Sequence, residues 1–120
     1  FRDFTYIDDV IESITLLLNK IPNNKIRNKF KNDSISNVAP FRIINIGNQK
    51  KILLNDFIIS IEKSLNQNAK KKFLPMQKGD VKETLSDSNL LYAITKFKPT
   101  INYKEGIYKF VKWYKNYYIK

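Results

Sequence analysis

Apolar residues in this 120-residue chain recur with helical spacing in four segments and run almost unbroken in one short stretch. The spacing predicts helices over 9–21, 54–67, 89–96 and 103–118. The run FRIINI at 41–46, closed by Gly47, predicts a strand covered on both faces, as in a parallel sheet. A second short extended piece is expected over 72–75. This order of elements predicts an α/β arrangement with too few strands to close a sheet of its own.

The first predicted helix has a recognisable start and end. Asp9 followed by Glu12 predicts a capping box, and Pro22 ends the helix. On this interpretation, Asp9→Ala costs about 1 kcal/mol. A metal or acid–base role for Asp8 and Asp9 is disfavoured because the side chains of adjacent helical residues diverge. The Asn-, Lys- and Ser-rich stretch 22–40 predicts a long polar loop, kept for binding or left mobile.

Composition excludes several classes of function. The sequence has no Cys and no His, so it contains no disulfide, thiol nucleophile, imidazole base or thiolate metal site. Its three glycines are too few and too scattered for a dinucleotide-binding fingerprint or a phosphate loop. No apolar run approaches the 18 residues that span a bilayer, so no membrane segment is predicted.

The charge is strongly basic, with 22 Lys and Arg against 11 Asp and Glu and a formal net charge of +11. Such a surplus raises nucleic acid or an anionic surface as a partner. However, the only arginines are Arg2, Arg27 and Arg42, and Lys is a solvated point charge that does not form bidentate contacts. Solvated surface lysines are therefore the favoured interpretation. A stand-alone basic α/β module that binds RNA or another polyanion stays open as an alternative.

The predicted last helix is rich in aromatic residues. Its stripe comprises Ile107, Phe110, Val111, Tyr114 and Tyr118, with further aromatics at Trp113 and Tyr117. Successive rings could stack on the bases of single-stranded nucleic acid. The spacing favours core packing, or docking against another part of the protein.

Four stretches, taken in order, carry a resemblance to a known family. They are RDFTYIDD at 2–9, FRIINIGN at 41–48, FLPMQKGDVKET at 73–84, and FKP at 97–99 followed by KEGI at 104–107. Together they resemble the C-terminal part of the extended short-chain dehydrogenase/reductase family of nucleotide-sugar epimerases and dehydratases. Within that family these motifs most resemble those of the bacterial UDP-glucuronate 4-epimerases. Each motif is weak alone, and their order and spacing make the combination specific.

The resemblance implies that Arg2, Gln77 and Asp80 bind substrate. In the family, the Arg of the Arg-Asp-aromatic motif reaches the diphosphate of the UDP-sugar, a role that falls on Arg2 and suits a bidentate guanidinium. The Asp of the Gly-Asp pair accepts hydrogen bonds from the ribose, which corresponds to Asp80. Gly79 either lets the backbone approach closely or makes the turn. Many relatives carry Arg at the position of Gln77, whereas the glucuronate epimerases carry Gln, so Gln77 supports the subfamily more than a phosphate contact.

The same resemblance implies a reaction whose cofactor-binding motif and catalytic pair are not found in this chain. Family members hold NAD with a Gly-rich turn and use a Tyr-x-x-x-Lys pair to oxidise and reduce the sugar at C4. The Gly-rich turn is absent here. Two matches to the pair, Tyr92 with Lys96 and Tyr108 with Lys112, fall in segments that match the family's C-terminal helices, and we interpret both as non-catalytic. Lys96 also stands where relatives usually have a glycine in the left-handed conformation that ends a helix.

Because the chain opens on Phe1 with residues typical of the interior of a fold, we expect a fragment. Residues 1–120 would be the substrate-side portion of a Rossmann-type epimerase, inactive by itself, with NAD bound by a missing N-terminal half. The parent enzyme would interconvert UDP-glucuronate and UDP-galacturonate through a 4-keto intermediate, as a cytoplasmic homodimer with no membrane partner and no expected nucleic-acid partner. A related nucleotide-sugar dehydratase, or an epimerase of the UDP-glucose type, stays open as an alternative.

Overall fold

Four helices form the framework of the molecule, for which a computed structural model describes residues 1–23 and 30–118. They are α1 (Ile7–Leu18), α2 (Leu54–Leu65), α3 (Asn89–Thr95) and α4 (Tyr103–Tyr118). α2 packs on α4, and α1 packs on α3. None of the helices in the described ranges has the length and hydropathy to cross a membrane. All four predicted helices are therefore present, with ends that differ from the prediction by at most three residues.

The predicted capping box of α1 is wrong. The N-cap residue is Tyr6, without a side-chain cap, and Asp9 lies inside the first turn with only 5% of its surface exposed. Its carboxylate instead accepts hydrogen bonds from the backbone amides of Thr100 and Ile101, at 3.0 and 2.9 Å. The segment 100–101 has two backbone N–H groups that need acceptors, and the Asp9 carboxylate supplies one to both. The local sequence had assigned this carboxylate to capping the start of α1.

The predicted strands are also absent from the described residues. Segments 41–46 and 72–75 form neither a strand nor a helix. Within the described ranges the single β-bridge joins Arg2 to Ile52. A strand exists only when a neighbouring strand completes its hydrogen-bond ladder, and the described residues supply none beside 41–46. An apolar run is therefore not sufficient evidence for a strand.

The polar stretch predicted as a loop over 22–40 forms specific contacts in the part that the structure describes. Residues 24–29, which include Arg27, lie outside the described residues. Beyond them, Asp33 accepts two hydrogen bonds from Arg42, from Nε at 2.7 Å and from Nη2 at 3.0 Å, with side chains only 2% and 8% exposed. The Ile43 amide also donates to the Ser34 hydroxyl at 3.1 Å. Residues 33–43 are thus a closed lobe rather than a free loop.

The buried centre of the molecule is small and half polar. Its apolar part consists of Leu91, Ile107 and Val111. Buried polar groups join the segments around it: Asn48 donates to the Ile101 carbonyl at 3.0 Å. With little apolar contact and no sheet in the described chain, hydrogen bonds from side chains to backbone fix the relative positions of the loops.

One face of α1 is apolar and exposed. It comprises Ile7, Ile11, Ile14 and Leu18, opposite the buried face that carries Asp9. The predicted apolar stripe of this helix is therefore largely uncovered.

The whole chain exposes 9553 Å² with a radius of gyration of 18.1 Å. A compact protein of this mass exposes about 6,800 Å² and has a radius near 14 Å.

α4 repeats this pattern. Ile107 and Val111 are buried as predicted, whereas the aromatic residues of its C-terminal half are exposed. Their rings contact one another instead of a core: the centroids of Trp113 and Tyr117 lie 5.6 Å apart, and those of Tyr114 and Tyr118 lie 5.0 Å apart. Two of the five residues of the predicted core stripe are therefore buried.

Candidate functional site

The segment that carries Arg2 lies between two other parts of the chain. On one side, the amide and carbonyl of Arg2 pair with the carbonyl and amide of Ile52, at 2.9 and 3.0 Å. On the other side, the Thr84 amide donates to the Phe1 carbonyl at 3.3 Å. Residues far apart in sequence thus hold the Arg2 backbone from both directions. The position of the guanidinium is set by tertiary contacts and not by a helix or strand.

The structure brings two of the three predicted substrate-binding residues into direct contact. Nη2 of Arg2 lies 3.1 Å from Oδ1 of Asp80, and the side chains are 32% and 53% exposed. Nη1 of Arg2 donates to the carbonyls of Phe1 and Lys82, at 3.0 and 3.3 Å. An ion pair this exposed contributes about 0–1 kcal/mol to stability. Both charged groups therefore remain accessible to a ligand from solvent.

The loop before Asp80 is a tight turn. The Asp80 amide donates to the Gln77 carbonyl at 3.2 Å, and Gly79 has a φ of +90°. That geometry is the type II turn, whose third residue needs a positive φ. A Cβ placed on Gly79 would meet nothing within 4 Å, so the turn and not close packing requires glycine here. Gln77 begins the turn with an exposed side chain, and no contact joins that side chain to Arg2.

A second ion pair flanks the site. Nζ of Lys51 donates to the Glu83 carboxylate at 2.9 Å. This hydrogen bond lowers the pKa of Glu83 below its usual range, and the Coulombic attraction of the ammonium acts in the same direction. Lys78 and Lys82 lie in the same loop as Asp80 and Glu83, so lysines outnumber carboxylates in the sequence around this site. Such a surface attracts an anion such as a phosphate group.

A polar cluster behind Arg2 was not singled out from the sequence. The Ser88 hydroxyl accepts from the Gly47 amide at 3.0 Å and donates to the Gly47 carbonyl at 2.9 Å. A Cβ on Gly47 would lie 1.9 Å from Oγ of Ser86 and 2.9 Å from Oδ2 of Asp3, so only glycine fits. The cluster joins the loop after 41–46 to the segment that follows Asp80. The only sequence feature that points to this cluster is the Arg-Asp pair at positions 2 and 3, and that pair does not by itself predict the contacts of Asp3.

The two Tyr-x-x-x-Lys matches lie on α3 and α4. Lys96 follows α3 in the left-handed conformation, with a φ of 62°, and its ammonium lies 5.5 Å from the centre of the Tyr92 ring. Lys98 lies over the same ring at 4.6 Å. The side chain of Tyr108 is exposed on α4. Lys96 thus adopts the conformation that the family's glycine suggests, and the non-catalytic interpretation of both pairs stays a prediction.

Comparison with known proteins shows which proteins this chain is similar to. No protein-family model matches the chain. A protein of Rhizobium meliloti named probable UDP-glucuronate 4-epimerase is 41% identical over 119 residues, 98% of this chain and 35% of its own length. The crystal structure of UDP-glucuronic acid 4-epimerase from Bacillus cereus in complex with NAD superposes with a TM-score of 0.67 at 26% identity, over 98% of this chain and 30% of that one.

A mutant of the same Bacillus cereus enzyme, in complex with UDP-4-deoxy-4-fluoro-glucuronic acid and NAD, superposes with a TM-score of 0.66 at 28% identity over 93% of this chain and 32% of that chain. This chain therefore spans about a third of the length of the proteins it matches. Over nearly its whole length it is related to the C-terminal part of UDP-glucuronate 4-epimerases. The resemblance derived from its motifs is confirmed.

Proposed function

We propose that this chain forms the substrate-side part of an NAD-dependent nucleotide-sugar 4-epimerase that interconverts UDP-glucuronate and UDP-galacturonate through a 4-keto intermediate. The observation that carries the proposal is the meeting of Arg2 and Asp80. They lie 78 residues apart in sequence, each inside a motif that matches the family, and they share one accessible ion pair. Solved relatives are described as complexes with NAD and with a UDP-sugar analogue, which supports the substrate class.

In this proposal Arg2 and Asp80 bind different parts of the nucleotide. The Arg2 guanidinium donates paired hydrogen bonds to the diphosphate oxygens, because its planar fork matches phosphate geometry. The Asp80 carboxylate accepts hydrogen bonds from the ribose hydroxyls. Gln77, at the start of the same turn, would add a polar contact to the nucleotide. Basic side chains around Arg2 raise the local concentration of the dianionic substrate.

NAD does not fit this chain. Gly47 packs against Ser86 and Gly106 packs against Tyr6, so neither leaves the open backbone that a pyrophosphate requires. The remaining glycine, Gly79, belongs to the turn at Asp80. We therefore assign the cofactor and the catalytic Tyr and Lys to an N-terminal half of the polypeptide. This chain binds and orients substrate and carries no step of the hydride chemistry.

The same division accounts for the uncovered surfaces. In the proposed full-length enzyme, segment 41–46 obtains its ladder partner from the N-terminal half and becomes the strand of an α/β, Rossmann-type fold. The exposed apolar face of α1 packs against that half as well, because a contiguous exposed apolar face usually marks a surface that another part of the protein covers. A cytoplasmic homodimer stays a prediction from the resemblance.

The test is UDP binding to the polypeptide that carries this chain together with its cofactor half, measured by calorimetry with wild-type protein and Arg2→Ala. Loss of a charge-assisted hydrogen bond should weaken UDP binding roughly 10- to 150-fold. Lys112→Ala is the matched control, since it removes one positive charge from α4 and one half of a Tyr-x-x-x-Lys match. It should leave both UDP affinity and epimerase turnover unchanged.

Three outcomes would contradict the proposal, each in a different part. Equal UDP affinity of wild type and Arg2→Ala would remove Arg2 from the site. Binding of an RNA homopolymer that falls steeply with salt, without any binding of UDP, would favour the basic polyanion-binding module instead. Turnover of UDP-glucuronate to a dehydrated product would leave the UDP site in place and change the enzyme to a dehydratase.

A further inference from the structure

We infer that the Asp3 carboxylate is the positioning group that holds Arg2 in register with the Asp80 loop. This inference rests on the proposed function, because it concerns how the phosphate-binding guanidinium is oriented. Asp3 follows Arg2 directly and contacts both segments that flank it. Nothing in the UDP contacts proposed above requires Asp3 to touch the ligand.

The carboxylate is satisfied almost entirely by protein donors. Oδ2 of Asp3 accepts from the Gln49 amide at 3.0 Å, the Ser86 amide at 3.1 Å and the Ser86 hydroxyl at 2.5 Å. Oδ1 accepts from the Lys50 amide at 3.4 Å. Burial alone would raise the pKa of Asp3, but hydrogen bonds from Ser86, Lys50 and Gln49 outweigh it and lower that pKa. Asp3 is therefore an anion at neutral pH.

The donors at 49 and 50 form a small anion-binding concavity. Two successive backbone N–H groups converge on the same carboxylate, the arrangement that binds anions in other proteins. Gln49 has a φ of 57°, in the left-handed region that is costly for a residue with a side chain. The contact with Asp3 compensates for this cost. The loop conformation after Gly47 therefore depends on the negative charge of Asp3.

The same carboxylate reaches the other side of the site. Ser86 lies six residues after Asp80, and the amide of Asp3 itself donates to the Thr84 hydroxyl at 3.4 Å. Ile52, which pairs with the Arg2 backbone, lies two residues after Lys50. The Asp3 carboxylate thus contacts both neighbours of the Arg2 segment from within that segment, whereas the Lys51–Glu83 ion pair joins the two neighbours to each other at the surface. Loss of its charge frees these segments to move relative to each other, and the guanidinium moves with them.

The test is a double-mutant cycle on UDP affinity in the full-length polypeptide, at a temperature well below the unfolding of every variant. Its members are wild type, Arg2→Ala, Asp3→Asn and the double variant. An amide keeps one oxygen but removes the charge and places an NH₂ group opposite the Lys50 amide. We expect Asp3→Asn to weaken UDP binding about 10-fold or more in the wild-type background and less than about 2-fold in the Arg2→Ala background.

Asp9→Asn is the matched control, since Asp9 also accepts two backbone hydrogen bonds but joins α1 to residues 100–101. A merely structural role of Asp3 would lower stability, as Asp9→Asn does, without coupling to Arg2. Should Asp3→Asn fail to fold, Ser86→Ala removes one donor of the same carboxylate, and we expect the same non-additivity with a smaller loss.

The outcomes separate the two proposals. The positioning role is refuted if Asp3→Asn weakens UDP binding by the same factor in the wild-type and Arg2→Ala backgrounds. It is also refuted if Asp3→Asn behaves like Asp9→Asn. In both cases the UDP site stands as long as Arg2→Ala weakens UDP binding. If wild-type protein does not bind UDP, the proposed function fails and the role of Asp3 fails with it. Non-additive losses confined to Asp3 and Ser86 would establish the positioning role.

Discussion

Asp9→Ala distinguishes the tertiary role of this residue from the local role that its position in sequence predicts. The structure buries the Asp9 carboxylate and directs one oxygen, Oδ2, at the amides of both Thr100 and Ile101. These bonds hold the segment before α4 against α1. Truncation to alanine removes the acceptor and leaves two donors without a partner in a water-poor site.

The expected cost follows from these two bonds. A hydrogen bond to a charged group contributes about 1.5–3 kcal/mol, so the loss of both should destabilise the packing of residues 99–101 by about 3–6 kcal/mol. A helix-capping role would cost only about 1 kcal/mol. Asp9→Asn should fall between, at about 1–2 kcal/mol, because both donors share one oxygen that the amide retains without the charge.

Native-state hydrogen exchange of the peptide that contains Thr100 and Ile101 measures this directly. Asp9→Ala should reduce the protection of that peptide roughly 10²- to 10⁴-fold. Asp8→Ala is the control, since Asp8 lies exposed in the same first turn of α1 and should cost under about 1 kcal/mol through the helix dipole alone. Equal effects of the two substitutions, near 1 kcal/mol each, would refute the tertiary role and restore the capping box.

Three further predictions concern other parts of the chain. Lys96→Gly should stabilise the protein by about 0.5–1 kcal/mol in thermal unfolding, because glycine adopts the observed φ of 62° without the steric cost of a side chain. Arg42→Ala should destabilise the 33–43 lobe by about 3–5 kcal/mol in urea unfolding by leaving the buried Asp33 charge unpaired, and Arg42→Lys should recover only part of this. The lowered pKa of Asp3 means that its hydrogen bonds stabilise the fold fully above about pH 4 and progressively less as pH falls through the folded-state pKa, so Asp3→Asn should flatten the acid limb of stability against pH.

Sequence alone identified the four helices and the order of motifs that relates this chain to nucleotide-sugar epimerases. The 3.6-residue periodicity of α2 and α4 is a local property, so it can be inferred from short windows. The left-handed residue after α3 was suggested only by the glycine of related sequences, since Lys96 itself carries no local signal for that conformation. It also singled out Arg2 and Asp80 separately, through two motifs that place them 78 residues apart in the sequence. It did not indicate that their side chains share an ion pair.

Tertiary structure decided everything that depends on residues distant in sequence. The run at 41–46 has the composition of a strand, yet a strand also needs a neighbouring ladder, which no pattern within the run can supply. Asp9 and Asp3 accept hydrogen bonds from backbone amides 92 and 83 residues away, because a buried N–H group must find an acceptor wherever the fold places one. Local sequence therefore determines which helices form, whereas the satisfaction of buried polar groups determines how the segments around Arg2 come together.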